Sequence, residues 1–313
     1  MDLYSIGELL IDFTPGSEPN SYIRNPGGAP ANAAIAAARS GLEAGMCTSV
    51  GDDDFGRFLI QTLEENNIRV LNPALCTRAV TTMAFVTLAP DGNRSFTFAR
   101  RPGADMFLPE EAVKREDIQS SAIVHAGSFS LSASPAAQAT EKALRLGHAL
   151  GKLVSFDVNY RGMIWGGDQA ACAAKVREIL PYVDLLKVSD EEVDMVGGED
   201  ALPGLMDEFG ITVLVETLGG SGARCFFAGE RWDVPGKEVT CVDTNGAGDA
   251  FWGAFLASLR IQGADRADRL TREMVGRAVE YGNAAGGLTV QKKGAIPALP
   301  TREQIETFLQ EKR

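Results

Sequence analysis

Short apolar runs alternate with amphipathic segments of helix length along most of this chain. Residues 3–11, 45–50, 122–126, 153–157, 185–188 and 212–217 are predicted strands, brief blocks rich in aliphatic residues. Between them, residues 31–39 (alanine-rich and stopped at Gly41), 55–65, 135–150 and 169–180 carry helical spacing, and residues 250–260 and 272–287 close the pattern as two more helices. This alternation predicts an α/β fold, a mainly parallel sheet with helices on both faces. Such sheets bind ligands beyond the carboxyl ends of their strands.

Two stretches break the rhythm. Residues 81–88 and 94–100 are β-type runs separated by Ala89-Pro90-Asp91-Gly92-Asn93, a hairpin signal. Residues 13–24, which hold Pro15, Gly16 and Pro19, are not helical either. As segments 12–25 and 81–101 they are expected to form a small β lid inserted into a single α/β domain covering residues 1–313. The plainer alternative is a surface hairpin. An exposed strand edge with Phe85, Phe96 and Phe98 beside it would call for cover, so a homodimer through the lids is expected.

Composition acts mainly by exclusion. The 313 residues are 45% hydrophobic and 23% charged, an ordinary globular balance, with a net charge of -12 that argues against nucleic acid or an anionic membrane as partner. Five cysteines, an odd number without a C-x-x-C pair, give neither a disulfide framework nor a zinc site. Of the two histidines, His125 and His148, neither lies in a motif, and His125 follows the apolar Ala122-Ile123-Val124 as a structural residue would. The N-terminus carries Glu8 and Asp12 in its apolar stretch and no basic region, so it reads as a strand rather than a signal peptide. No apolar run approaches the roughly 20 residues of a membrane helix. A cytoplasmic location is expected.

The candidate chemistry concentrates in Asp243-Thr244-Asn245-Gly246-Ala247-Gly248-Asp249, which follows a β-type run at 238–242 and precedes a helix with the apolar stripe Phe251, Phe255 and Leu259. A glycine-rich turn opening a helix presents unpaired amides and the positive end of the helix dipole, a site for phosphate or for charge developing during its transfer. Asp249, in the first turn, could take a proton from an attacking hydroxyl. By itself such a string is as readily a plain structural turn.

The whole string resembles the signature of the PfkB family of carbohydrate kinases, whose fold is ribokinase-like. Gly27-Gly28-Ala29-Pro30-Ala31-Asn32-Ala33-Ala34, opening an early helix, fits the same family, and the similarity runs from Gly7 to Pro300. The fructokinase branch is resembled by Gly7-Glu8-Leu9-Leu10-Ile11-Asp12-Phe13, by Gly51-Asp52-Asp53-Asp54-Phe55-Gly56, and by Phe96-Thr97-Phe98-Ala99-Arg100-Arg101-Pro102-Gly103-Ala104-Asp105. Asp157-Val158-Asn159-Tyr160-Arg161 with Trp165, and Gly294-Ala295-Ile296-Pro297-Ala298-Leu299-Pro300, resemble it too.

The resemblance implies ATP-dependent phosphorylation of a sugar hydroxyl, with fructose to fructose 6-phosphate as the expected reaction. It implies that Asp249 is the base and that Gly246, Ala247 and Gly248 form the anion hole. Asp12, Gly28 and Asn32 would meet the sugar, and Arg161 and Arg100 the sugar or the transferring phosphoryl. ATP would lie on Lys187, Ser189, Thr217, Gly219, Gly222 and Asn283. Glu192 would organise Mg²⁺ through water, with Ser189 standing where the family's N-x-x-E motif has asparagine. A monovalent cation such as K⁺ is implied at Asp243, Asn245, Thr289, Lys292 and Gly294, in part through main-chain carbonyls; Ala298 stands where some relatives have a serine. For each arginine the ordinary alternative is a surface ion pair, and for residues 217–222 a β-turn.

Other readings stay open at this level. The Arg100-Arg101 doublet suits a 2-keto-3-deoxygluconate kinase, whereas the Asp12 carboxylate suits a neutral sugar. A ribokinase would show an Asp-x-Asn pattern after the first strand, which is not seen. A non-catalytic sugar-binding protein on the same fold would not need both Asp249 and the full glycine loop. A dinucleotide-dependent enzyme would need G-x-G-x-x-G after the first strand, which is missing.

Overall fold

The structure, a computed structural model, describes residues 1–18, 20–88 and 94–311, without the side chains of Leu88, Arg94, Ser95 and Phe96. Pro19, the hairpin turn at 89–93 and the Phe96 side chain therefore lie outside the described residues. The chain runs β1 (Leu3–Ile6), β2 (Leu10–Pro15), β3 (Tyr22–Gly27), α1 (Ala29–Arg39), β4 (Ala44–Cys47), α2 (Asp54–Glu65), β5 (Ile68–Val70), β6 (Met83–Leu88), β7 (Arg94–Ala99), α3 (Arg115–Gln119) and β8 (Ile123–Gly127). It continues α4 (Ala136–Ala149), β9 (Leu153–Asp157), α5 (Gln169–Ile179), β10 (Leu185–Ser189), α6 (Leu202–Phe209), β11 (Val213–Thr217), β12 (Gly222–Phe227), β13 (Glu230–Pro235), α7 (Ala247–Ile261), α8 (Arg272–Thr289) and α9 (Arg302–Gln310).

The main sheet has the order β13-β12-β11-β10-β9-β8-β1-β4-β5. Its strands pair in parallel from β5 across to β11, and β12 and β13 add an antiparallel edge. Both faces are covered, as continuous aliphatic strands require. On β1, Leu3 joins a core with Ile35, Met46, Trp252 and Phe255, while Tyr4 and Ile6 join the opposite core with Leu144, Phe156 and Leu186. A second sheet has the order β3-β2-β6-β7. Its β2–β6 pair is parallel and its other pairs antiparallel. Among the described residues no helix is long and apolar enough to cross a membrane.

Two predicted elements are corrected. Residues 3–11 are not one strand: the chain turns at Gly7-Glu8-Leu9, leaving β1 in the main sheet and carrying β2 into the second. The apolar run hides this break because Leu9, Leu10 and Ile11 are buried on the far side of the turn as well. Residues 238–242 belong to no ladder. The Val242 and Asp243 amides instead donate to Val290 O at the end of α8, at 2.7 and 3.1 Å, and the last strand is β13.

Candidate active site

The strand order reverses at β1, which is followed through α1 by β4 on one side and flanked by β8 on the other. A crevice opens at such a switch point, beyond the carboxyl ends of the strands. Two cavities lie along the carboxyl ends of the strands, one at the switch point and one toward β11. The smaller, about 100 Å³, is lined by Glu8, Asp12, Asn32, Asn159, Arg161 and Asp249, with Gly28, Phe98 and Phe129 also on its wall. The larger, about 650 Å³, is lined by Thr217, Gly219, Gly222, Gly248 and Asn283 among others. The loop at the start of α7 is their common wall. Asn245 and Asp249 face the smaller cavity, and Ala247 and Gly248 the larger.

Gly246 caps α7 with a left-handed backbone, φ 75°. The Ala247 amide reaches Thr244 O at 3.3 Å, and the amides of Gly248 and Asp249 find no carbonyl among the described residues. They are the orphan donors of a helix start, at the positive end of its dipole. Beneath them lies Lys187, whose Nζ would stand 3.5 Å from a Cβ placed on Gly248. Lys187 donates to both oxygens of Asp157, at 2.9 and 3.0 Å. Burial works to lower the Lys187 pKa, but Asp157, Glu192 and Asp249 more than offset it and hold it raised, so the ammonium keeps its charge. Burial pushes Asp157 up to about 6 against the pull of Lys187.

Asp249 is 8% exposed. Its Oδ2 accepts from Asn32 Nδ2 at 2.8 Å and its Oδ1 from Asn159 Nδ2 at 3.4 Å. Burial raises its pKa above the usual carboxylate range, against the Asn32 bond and the charges of Arg161 and Lys187. Asp12 is pushed up to about 7 by burial, Arg161 opposing and Asp249 adding. Gly28 has φ +117°, and a Cβ there would stand 2.4 Å from Glu8 O, so only glycine fits this bend over the cavity.

The other sequence-predicted residues fall in several places. Thr217, Gly219, Gly222 and Asn283 line the larger cavity; Lys187 and Ser189 do not. Glu192 accepts from Tyr160 N at 2.7 Å and Ser189 N at 3.0 Å, tying together the ends of β9 and β10. Among the described residues no group of three or more Asp, Glu, His or Cys is arranged to hold a metal. Asp243 accepts from the amides of Asn245 and Gly294, both at 2.9 Å, which joins the glycine loop to the 289–294 segment. Thr289 O accepts from Lys292 N at 3.2 Å. A carboxylate oxygen and main-chain carbonyls are the donor types a hard monovalent cation takes, and Asp243 and Thr289 carry them on the two segments joined here.

Arg100 is not brought to the cavity. Its guanidinium pairs with Asp105 at 2.7 Å, donates to Ser132 Oγ at 3.2 Å and lies 4.7 Å over the Phe129 ring. Its charge is neutralised there, and it supports Phe129 from behind. Arg161 does line the cavity; it donates to Tyr160 O at 3.0 Å and has no carboxylate at ion-pair distance among the described residues. Of the aromatic residues expected at an outer lid face, the two whose side chains are described pack on neighbours: Phe98 on Phe129, ring centroids 6.2 Å apart, and Phe85 stacked on Phe13 at 5.0 Å. His125 is buried with Nδ1 3.0 Å from Ser155 Oγ, in keeping with a structural role. Glu8 and Asn159 line the site, though sequence reasoning gave neither a role. The signal available was their place in the Gly7–Phe13 and Asp157–Arg161 motifs.

Phosphoryl transfer to an alcohol needs little covalent chemistry from a protein. It needs donor and acceptor held in line, positive charge at the moving phosphoryl, and an acceptor for the hydroxyl proton. Loop 245–249, with Lys187 below it and Asp249 at its end, has this form, and the class it defines is a small-molecule kinase. The chain belongs to the pfkB family of carbohydrate kinases, which it matches over residues 1–302. It is 38% identical to Fructokinase-1 of Oryza sativa subsp. japonica over 311 residues, covering 96% of this chain and 95% of that one. The crystal structure of a fructokinase from Xylella fastidiosa with bound ATP superposes with a TM-score of 0.92 at 30% identity, covering 99% of this chain and 98% of that one. A fructokinase double mutant from Vibrio cholerae O395, in a form with fructose, ADP and potassium ion bound, superposes with a TM-score of 0.88 at 31% identity, covering 99% and 98%. The fold is ribokinase-like, and the protein is a carbohydrate kinase.

Proposed function

We propose that this kinase transfers the γ-phosphoryl of ATP to fructose, giving fructose 6-phosphate and ADP. The observation that carries the reading is the shared wall: one loop faces a cavity of nucleotide size on one side and a small polar cavity on the other. ATP lies along Thr217, Gly219, Gly222 and Asn283, with its γ-phosphoryl at the Gly246, Ala247 and Gly248 amides and over Lys187. Fructose sits on Asp12, Gly28, Asn32 and Arg161. Asp249 takes the hydroxyl proton as the sugar oxygen bonds to phosphorus and the bridging oxygen leaves with ADP. Mg²⁺ on the phosphates would supply charge neutralisation, and Glu192 would hold it through one of its waters. Asp243 and the carbonyls of Asn245, Thr289, Lys292 and Gly294 would hold K⁺ beside the loop.

The second sheet acts as a lid, since β2 and β7 put Leu10, Asp12 and Phe98 on the smaller cavity. One of its two edges, β3, exposes Tyr22 (51%) and Ile23 (53%), and a homodimer would cover it. All five cysteines are free thiols, which suits the cytoplasm.

An acid sugar fits less well. The carboxylates Asp12 and Asp249 line the smaller cavity, Arg161 is the one cation on its wall among the described residues, and Arg100 is neutralised by Asp105. Release of ADP is measured with fructose and with 2-keto-3-deoxygluconate, on the wild type and on Asp12→Ala. The expected result is a higher kcat/KM for fructose and a fructose KM raised at least about 10-fold in the variant, because a site built to pair hydroxyls loses much without its partner. A preference for the acid sugar would reverse the substrate and leave the kinase.

A further inference from the structure

Glu8 sits in the turn between β1 and β2 and is 3% exposed. Its Oε1 accepts from Ala29 N at 2.9 Å, which fixes the side chain against the start of α1. Its Oε2 is buried and without a hydrogen-bond partner. Buried polar atoms are nearly always paired, so each orphan calls for an explanation. Here the explanation is adjacent, because Glu8 lines the smaller cavity. The same cavity is lined by Asn32, whose Nδ2 serves Asp249 while its Oδ1 is likewise buried and unpaired. Two unpaired atoms around one small polar space point to a ligand that brings its own hydrogen-bonding groups.

We propose that Glu8 is a specificity-determining residue that hydrogen-bonds an oxygen of the sugar through Oε2; this rests on the reading of the smaller cavity as the sugar site. Oε1 is held by the main chain, so Oε2 is presented in a fixed position and reads one particular hydroxyl. Burial pushes the Glu8 carboxyl up to about 8, with Asp105 and Asp249 adding. At neutral pH it therefore keeps its proton and donates, adding no third negative charge beside Asp12 and Asp249. The ligand chemistry is that of a neutral polyol with a hydroxyl at that point. A deoxy sugar lacking it leaves the carboxyl unpaired.

The test is steady-state kinetics with fructose and its mono-deoxy analogues on the wild type, Glu8→Gln and Glu8→Met, together with a structure of the wild type containing fructose. Glu8→Met should raise the KM for fructose at least about 10-fold while kcat and the KM for ATP change by less than about 3-fold. Glu8→Gln, which keeps an N–H donor and an acceptor for Ala29, should restore the fructose KM to within about 3-fold of wild type. One deoxy analogue should be discriminated by the wild type and not by Glu8→Met. In the fructose complex a sugar oxygen should lie within about 3.2 Å of Oε2. A Glu8→Met enzyme with wild-type KM, or a complex with no sugar oxygen near Oε2, would overturn the proposal alone. Failure of the wild type to use fructose would overturn the parent reading and this one with it.

Discussion

Glu8, Asp12 and Asp249 share one small cavity, and burial raises the pKa of each. The cations that face Asp249, Arg161 and Lys187, pull the other way without cancelling the burial. A base with a raised pKa is protonated at a pH where a free carboxyl is already ionised. Activity must therefore fall as pH falls through the raised value, and the acid limb of kcat/KM should stand well above the ordinary carboxylate pKa of about 4. With Asp12 at about 7 in the same cavity, the limb is a property of the group rather than of one residue. A pH–rate profile flat down to about pH 5 would contradict this. Asp12, Asn32, Arg161 and Asp249, each named from its place in a motif, are brought to one cavity by the fold. Glu8 shares the Gly7–Phe13 motif with Asp12 but was given no role, because nothing in the string shows the turn that brings its carboxyl to the cavity. Arg100, expected at the sugar or the phosphoryl, is found paired with Asp105, only five positions on, a pairing that depends on a fold the string does not display.

At the scale of elements, the site depends on how closely α7 approaches α1. Asn32 lies on α1 and Asp249 on α7, and their hydrogen bond exists only if the two helices pack tightly. The alanines of α1 and Gly253 of α7 allow this: a Cβ on Gly253 would stand 2.2 Å from Ala33 O. Gly253→Ala must push the helices apart. It should cost about 1–3 kcal/mol of stability, read as a lower urea midpoint, and should lower kcat by loosening the Asn32–Asp249 bond. An unchanged midpoint would show the contact to be slack. Most helices and buried strands were legible to within a residue or two, since their aliphatic spacing is strong. Helix α6 was missed because Pro203-Gly204 reads as a breaker, although proline in a first helical turn loses no hydrogen bond. The split at Gly7 and the unladdered 238–242 segment were missed because a β-type run reads alike in the string whether or not it pairs, and only partner strands distinguish a ladder from a loop.

For the whole molecule, the alternation of elements gave the layered sheet, but not the strand order that puts β1 at the switch point, which is set by long-range pairing. The lid's position was legible and its outer surface was not: Phe98 faces the cavity, and Tyr22 and Ile23 form the exposed apolar edge. Light scattering at micromolar concentration should give a dimer for the wild type and a monomer for Ile23→Lys; a wild-type monomer would remove the lid-to-lid association. The proposed transfer requires two cavities on either side of one loop, with the buried Asp249 carboxylate on the sugar side. The most direct test is fructose phosphorylation by Asp249→Asn, which removes proton transfer and keeps the size of the side chain. Its kcat should fall by roughly 10²–10⁴ with a much smaller change in the KM for fructose, and its melting temperature should stay close to that of the wild type. Turnover at the wild-type rate would contradict the account, because the hydroxyl proton would then be leaving by another route.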